Sequence, residues 1–186
     1  MIKLSILIPV HESHWKQCDE LLDHLNKQFA NKEEVEIIPF MNKGEFTKGY
    51  YRNLLLTLAK GEYVCFIDAD DWTNENYIQL LLKGIKTQPT HISLKGVITT
   101  NGQNPKIFEH SNKYDSWKTM PSGDVEYLRT ISHLNCIKSS IATQFKFPEI
   151  NHGEDHAWSE LICKSGLLNK EYYIDTVLYH YNYIPK

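Results

Sequence analysis

The sequence lacks the cysteine pairs that hold structural zinc. It has four cysteines but no CxxC pair, and this argues against a zinc cluster. The cysteines are Cys18, Cys65, Cys136 and Cys163. A glycine-rich phosphate loop is also missing, because the segment from Pro9 to Ser13 contains no glycine and no P-loop motif occurs elsewhere. Nucleotide-binding classes that depend on such a loop are therefore disfavoured.

Long apolar runs and a strong net charge are absent as well. The apolar run from Leu4 to Val10 is too short for a membrane span or for a signal-peptide core with its flanks. The net charge of -3 argues against a generally basic nucleic-acid binder, although a local basic groove is compatible with it. Nothing indicates an oxidising compartment. We therefore expect a cytoplasmic protein without a transmembrane segment.

Strand and helix patterns alternate along the first half of the chain. With 186 residues, 41% of them hydrophobic, the chain suits one domain with a real core. Apolar runs at 4–10, 35–40 and 62–67 predict buried strands. The helical spacing of Leu21, Leu22, Leu25 and Phe29, and that of residues 50–59, predicts helices between them. This order predicts a parallel sheet covered by helices on both faces, with ligands beyond the carboxyl ends of the strands.

The second half gives weaker signals. We predict a helix over about 74–85, a strand over 91–99 and a helix over about 156–164. Residues 101–123 are polar and contain glycine, proline and asparagine, which favours a loop or hairpin that is long enough for a lid. No repeat or domain linker is evident.

An acidic cluster follows the third predicted strand. Asp68, Asp70 and Asp71 stand within four residues, where their charges repel one another. A divalent cation with oxygen ligands offsets that repulsion, and a diphosphate supplies further oxygens to the same ion. In an extended turn, Asp68 and Asp70 point the same way while Ala69 points away. The alternative is helix capping, for which Asp71 is the candidate, but capping does not account for three carboxylates.

These segments resemble the GT-A fold family 2 glycosyltransferases. The resemblance is carried by residues 5–12 (SILIPVHE), 49–53 (GYYRN), 59–64 (AKGEYV) and 66–71 (FIDADD). It implies a single α/β, GT-A-like domain with a mostly parallel, Rossmann-related sheet. In such a domain, residues 1–100 would bind the nucleotide-sugar, and residues 101–186 would form the acceptor side and supply the base.

The resemblance also implies a donor site with a divalent metal, Mn²⁺ or Mg²⁺. Asp68 would face the ribose or the metal's water shell, and Asp70 would bind the metal. Arg52 would help neutralise the diphosphate or orient the acidic cluster, and the plain alternative for it is a surface helix residue. His180 is a candidate third metal ligand, although a lone histidine in an aromatic run is more often structural. The remaining donor-binding candidates are Pro9, His11, Glu12, Asn42, Ala69 and His133.

One departure from the family pattern concerns the base. Many members carry an acidic turn after the second strand, but residues 38–44 here read IPFMNKG. Asn42 or Glu12 could read the base edge instead, and UDP is inferred from family habit. His133, in the segment His133-Leu134-Asn135, either lines the donor or acceptor pocket or is a core histidine.

A second acidic pair precedes the last predicted helix. An inverting transfer needs a base for the acceptor hydroxyl, and a carboxylate at a helix start suits that task. By the resemblance, Asp155 supplies the base, with Glu154 as its neighbour and second candidate. Helix capping by Glu154 or Asp155 is the alternative. A metallohydrolase built on Glu154, Asp155 and His156 is disfavoured, because adjacent side chains at a helix start diverge.

Two other functions remain open. A sugar-nucleotide nucleotidyltransferase would share the sheet and the acidic cluster, but should carry the missing glycine-rich loop. A non-catalytic nucleotide- or sugar-binding module would need no base. The acceptor is not indicated by any motif. A glycan precursor is the default expectation, and a modified nucleic-acid base is a less supported alternative.

Overall fold

The computed structural model describes residues 1–29, 33–120 and 124–184. Within these ranges, ten strands form one sheet, in the order β2-β1-β3-β9-β5-β6-β8-β7 with β10 paired to β5 and β4. The strands are β1 (Leu4–His11), β2 (Val35–Asn42), β3 (Tyr63–Phe66), β4 (Trp72–Thr73), β5 (His91–Thr100), β6 (Gln103–His110), β7 (Lys118–Thr119), β8 (Tyr127–Arg129), β9 (Cys136–Lys138) and β10 (Glu171–Tyr183). The helices are α1 (Trp15–Asn26), α2 (Lys48–Leu58), α3 (Tyr77–Ile85), α4 (Ser139–Ala142) and α5 (Glu154–Lys164).

The first three strands form the parallel centre of the sheet. β1 lies between β2 and β3, pairs with both in parallel, and is buried along almost its whole length. Crossover helices are needed to return the chain for parallel pairing, and α1 and α2 serve this purpose. The predicted β-α-β-α-β order is therefore confirmed.

The rest of the sheet is mixed. β9 pairs antiparallel with both β3 and β5, while the long strand β10 runs parallel to β5. β5 and β6 form a hairpin whose turn, Asn101-Gly102, has φ angles of 50° and 73°. Positive φ at both turn residues matches the twist of the two strands, and asparagine and glycine tolerate it best. The predicted loop or hairpin at 101–123 thus begins as a hairpin arm; residues 121–123 lie outside the described ranges.

Helices cover both faces of the sheet, as predicted. On β1, Leu4, Ile6, Ile8 and Val10 point into one core, together with buried residues of α1 and α3. Leu7 points into the other core, with buried residues of α2, α4 and α5. Alternation of side chains along a strand produces this division. The mixed α/β class is confirmed by the described residues.

The position of Asp71 differs from the sequence interpretation. Helix α3 begins at Tyr77 rather than near residue 74, because the Asn74 side chain accepts a hydrogen bond from the Asn76 backbone and holds a turn there. Strand β4 also separates Asp71 from that helix. The prediction that Asp71 caps the helix is therefore wrong.

No helix in the described ranges is long and apolar enough to cross a membrane.

Candidate active site

The predicted acidic and basic residues meet at the carboxyl edge of β1 and β3. Asp68, Asp70 and Asp71 follow β3, and Arg52 reaches the same place from the buried side of α2. Gly49 lets α2 pack closely against the backbone of Pro148, because a Cβ at residue 49 would lie 1.8 Å from the Pro148 carbonyl oxygen. Residues far apart in sequence are thus brought together by the crossover connections.

Arg52 is held between two carboxylates. Its Nη2 donates to Asp68 Oδ1 at 2.8 Å, and its Nε lies 3.4 Å from Glu154 Oε1. The side chain is only 4% exposed, and its guanidinium lies 5.4 Å from the Phe66 ring centroid and 5.9 Å from that of Phe147. A charge buried this deeply is tolerated only when it is paired. Arg52 thus contacts both predicted acidic sites, the one after β3 and the one that begins α5.

The pKa values reflect this pairing. Burial alone would lower the pKa of Arg52 and raise that of Asp68, but the ion pair reverses both effects. The carboxylates of Asp68 and Glu154 raise the pKa of Arg52, and Arg52, followed by His133, holds the pKa of Asp68 well below its usual range. Asp68 is thus an anion throughout the neutral pH range. The buried Nη1 of Arg52 has no hydrogen-bond partner in the described structure, which leaves one donor for a ligand or water.

His133 lies between the two predicted acidic sites. Its Nε2 is 3.8 Å from Asp68 Oδ2, and its Nδ1 is 4.0 Å from Asp155 Oδ2. The ring is buried, yet neither nitrogen has a hydrogen-bond partner among the described residues. The backbone carbonyl of His133 accepts from Phe66 N at 3.0 Å, which fixes this segment to the end of β3. Two buried ring nitrogens without partners indicate a place for a polar ligand or water.

Helix α5 begins with the second acidic pair. Gly153 is its N-cap, with φ of 81°, and no side chain caps the helix. The interpretation that Glu154 or Asp155 caps it is therefore wrong. Glu154 is buried against Arg52, whereas the Asp155 side chain is 35% exposed and lines a cavity. Asp155 is thus the member of the pair that a substrate can reach.

Tyr179, on β10, organises the turn after β3. Its hydroxyl donates to Asp71 Oδ2 at 2.7 Å and accepts from the Asp68 backbone N at 3.1 Å. Asp71 is buried. Burial, and then the neighbouring charge of Asp68, raises the pKa of Asp71 well above its usual value despite the tyrosine hydrogen bond. No sequence pattern indicated Tyr179, because its contacts depend on the pairing of β10 with β4.

Asp71→Asn is expected to raise stability at neutral pH, by roughly 1 kcal/mol or more, because it removes a crowded buried charge. A carboxyl whose pKa is raised by folding destabilises the protein progressively as pH rises from its usual value of 3.8 to the folded value. The gain should therefore shrink on acidification toward about pH 4. Thermal unfolding between about pH 4 and pH 8 measures it, with Asp23→Asn on the exposed face of α1 as the control. A gain that is constant with pH would contradict the assigned cause.

Asp70 stands apart from the buried cluster. Its side chain is 47% exposed, and its nearest charged partner is His14, at 3.6 Å. Asp70, Asp71 and His180 line a shared cavity of about 300 Å³. Burial lowers the pKa of His180, which favours the neutral imidazole that binds metals. No group of three histidine, cysteine or acidic side chains among the described residues forms a ready metal site. A cation here would fit only if a ligand such as a diphosphate completed its coordination.

The other predicted donor-binding residues lie at the ends of β1, β2 and β3. Pro9 and Ala69 are buried, whereas His11 and Glu12 are exposed. Asn42 is buried, and its side chain closes its own loop: Oδ1 accepts from the backbone N of residues 44–46, and Nδ2 donates to Phe46 O. Reading of a base by Asn42 stays a prediction, but this geometry indicates a loop-closing role.

A larger cavity, of about 610 Å³, opens beside Asp155. Its acidic end holds Asp68, Asp71 and Asp155, with His133 between them. Its remaining wall comes from the β5-β6 hairpin, β8, β10 and the residue before β7. That wall includes Phe108, Trp117, Tyr127, Arg129, Tyr181 and Tyr183. Sequence reasoning missed these residues; the only available signal was the abundance of aromatic residues, which also suits a core.

Comparison with known proteins gives consistent results. The model of glycosyl transferase family 2 matches residues 40–150. A poly(ribitol-phosphate) beta-glucosyltransferase of Bacillus spizizenii is 29% identical over 139 residues, which cover 60% of this chain and 22% of that protein. The crystal structure of S. aureus TarS 1–349 has a TM-score of 0.74 at 19% identity and covers 97% of this chain and 60% of that one. TarS 1–349 in complex with UDP-GlcNAc has a TM-score of 0.73, also at 19% identity, and covers 100% and 60%.

This chain therefore spans less than two thirds of each of these relatives. The structural likeness confirms the GT-A-like fold. The family model matches more than half of the chain and includes Arg52, the acidic cluster and His133. The chain belongs to glycosyl transferase family 2.

Proposed function

We propose that this chain transfers a sugar from a nucleotide-sugar, with UDP as the nucleotide, to a hydroxyl group of an acceptor. The observation that carries the proposal is the joining of the two acidic sites: His133 lies within 4.0 Å of both Asp68 and Asp155. Family membership and the UDP-GlcNAc complex of TarS support it. Under this proposal, residues 1–100 bind the donor, while 101–186 supply the base and most of the acceptor wall.

The reaction is a single displacement that inverts the anomeric carbon. Asp155 takes the proton of the acceptor hydroxyl as its oxygen attacks the sugar carbon. The bond from that carbon to the diphosphate breaks on the opposite face, and the nucleoside diphosphate leaves with the electron pair. His133 lines the cavity beside Asp155, and its two unpaired ring nitrogens are candidates to bind the donor's phosphate or sugar oxygens. The buried Arg52 supports the site by holding Asp68.

A divalent cation, Mn²⁺ or Mg²⁺, forms part of the proposal. It would neutralise the diphosphate charge as the leaving group departs. Asp70 is the residue best placed to hold it, because its carboxylate is accessible and not tied to a cationic Arg or Lys. His180 lines the same cavity and is a second candidate ligand. Asp68 is already paired with Arg52, so we assign it a positioning role and a smaller part in metal binding than Asp70.

Asp70→Ala should weaken UDP binding in the presence of Mn²⁺. Loss of an outer-shell partner in a metal site typically lowers metal affinity by roughly 10- to 100-fold. Loss of a direct ligand should lower it by at least as much, and UDP binding should weaken accordingly. Calorimetry with UDP, with Mn²⁺ and with EDTA, measures the effect, and Asp23→Ala is the control. Equal UDP affinity with EDTA and with metal would remove the cation from the proposal. A panel of nucleotide-sugars, assayed for donor hydrolysis with and without Mn²⁺, would then identify the donor.

The acceptor and the compartment are also proposals. The name of the curated relative specifies poly(ribitol-phosphate) as its acceptor, so a polyol phosphate polymer is the first glycan-type acceptor to test. Four free thiols are consistent with a reducing, cytoplasmic compartment. Measuring turnover in an Asp155 variant distinguishes the alternative of a non-catalytic binding module, because such a module would have no turnover to lose.

A further inference from the structure

Arg129 forms part of the wall of the 610 Å³ cavity that Asp155 also lines. It is the last residue of β8, and its side chain is partly buried. The guanidinium carbon lies 4.8 Å from the Trp117 ring centroid and 4.9 Å from that of Tyr127. Two aromatic rings therefore restrict the plane of this guanidinium before any ligand binds.

The charge of Arg129 is not neutralised within the described residues. No carboxylate there lies within ion-pair distance of it, and burial lowers the pKa of Arg129 more than the neighbouring Tyr127 raises it. Its Nη1 donates to the backbone carbonyls of Lys118 and Leu128, at 2.8 and 2.9 Å. Nε and Nη2 have no hydrogen-bond acceptor in the part of the chain that the structure describes. Arg52, by contrast, is flanked by two carboxylates.

The cavity therefore carries charged groups of both signs. Asp68, Asp71 and Asp155 supply carboxylates, and Arg129 supplies a cation from the wall formed by β8. An anionic group is attracted to Arg129 and repelled by the carboxylates, whereas a neutral hydroxyl is accepted beside a carboxylate base. The tyrosine rings of residues 127, 181 and 183 add apolar faces with polar edges, which suit a saccharide or polyol.

We propose that Arg129 binds an anionic group of the acceptor, a phosphate or a carboxylate, and so directs the reacting hydroxyl toward Asp155. A planar guanidinium with free donors recognises both anions through paired charge-assisted hydrogen bonds. The proposal rests on the proposed function, because it needs Asp155 to be the base in the same cavity. It assigns the acceptor a chemical class, a saccharide or polyol that carries a negative charge.

The test compares three small probes on the UDP-saturated protein: glucose 6-phosphate, glucuronate and neutral glucose. Calorimetry should show that at least one anionic probe binds about tenfold or more tightly than glucose, as expected for charge-assisted hydrogen bonds. Comparison of glucose 6-phosphate with glucuronate shows whether the site prefers a phosphate or a carboxylate. Arg129→Gln should abolish the preference, and Arg129→Lys should retain only part of it, because lysine keeps the charge without the fork.

Lys113→Gln is the matched control. Lys113 also lies over an aromatic ring, 4.2 Å from the Tyr173 centroid, but does not line this cavity.

Wild-type protein that binds neither anionic probe more tightly than glucose would overturn the proposal, and so would a preference that survives in Arg129→Gln. Because Arg129 supports two backbone carbonyls, each variant is checked by melting temperature and UDP affinity. If Arg129→Gln does not fold, the proposal is still tested by the probe comparison on the wild type and by the partial loss of preference expected in Arg129→Lys. Failure of the wild type to bind UDP would instead count against the proposed function.

Discussion

Replacing Asp155 with asparagine is expected to lower turnover by about 10²- to 10⁴-fold, the usual contribution of a general base. The substitution keeps the shape of the side chain but removes its ability to accept the hydroxyl proton. UDP affinity and melting temperature should stay near those of the wild type, because Asp155 is partly exposed and makes no capping hydrogen bond. Initial rates with donor and a working acceptor, together with calorimetry, measure both expectations.

Two comparisons make the Asp155 result specific. Glu160→Gln removes a carboxylate from the exposed face of the same helix and should leave turnover unchanged. Glu154→Gln alters the buried partner of Arg52 and should affect stability as well as rate. Near-normal turnover in Asp155→Asn would show that another group is the base. A catalytic loss that is matched by an equal loss of UDP affinity would point to donor binding instead.

Arg52→Met is expected to destabilise the protein by about 3–5 kcal/mol, the range for removal of one partner from a buried ion pair. Glu154 would then be a buried carboxylate without its cation, and Asp68, with 34% of its side chain exposed, would bear a smaller penalty. Urea unfolding at neutral pH measures the free energy change. A loss below about 1 kcal/mol, the usual value for surface pairs, would contradict the buried network.

The pH dependence of unfolding gives an independent test of the same network. A carboxyl whose pKa is lowered by folding stabilises the protein above its usual pKa, which is 3.8 for Asp68, and loses that contribution as pH falls below it. Wild type should therefore lose this stability under acid conditions, and Arg52→Met should lose less on the same acidification. Combining Arg52→Met with Glu154→Gln should recover part of the stability at neutral pH, because the second change removes the charge left unpaired.

The donor side of the fold could be predicted well from local patterns. Apolar runs of strand length, interrupted by helical spacing, specify a parallel sheet, and the carboxyl ends of such strands meet at one edge. Together with the family resemblance, this placed Arg52 and Asp68 in one predicted donor site. It was not sufficient for Asp71, because a buried carboxylate and a helix cap look alike in sequence. The start of α3 at Tyr77 and the contact of Asp71 with Tyr179 distinguish them.

The acceptor side could not be predicted in the same way. Arg129 and Tyr127 lie on a three-residue strand, and Trp117 lies on the segment before the two-residue strand β7, which is too short to give a periodic signal. Their grouping depends on the β6-β8 pairing and on the path of β10 across the cavity. Long-range pairings of this kind are set by packing and leave little trace in nearby residues.

By itself, the sequence determined the two-sided parallel centre, the acidic cluster and the family to which the chain belongs. It did so because strand and helix periodicity and the motif spacing are local properties. The tertiary structure alone decided that Glu154 neutralises Arg52 while Asp155 faces a cavity. It also decided that Arg129 stands in that cavity without a carboxylate partner among the described residues. Charge pairing and burial depend on distances across the fold, and neighbouring letters in a sequence do not carry that information.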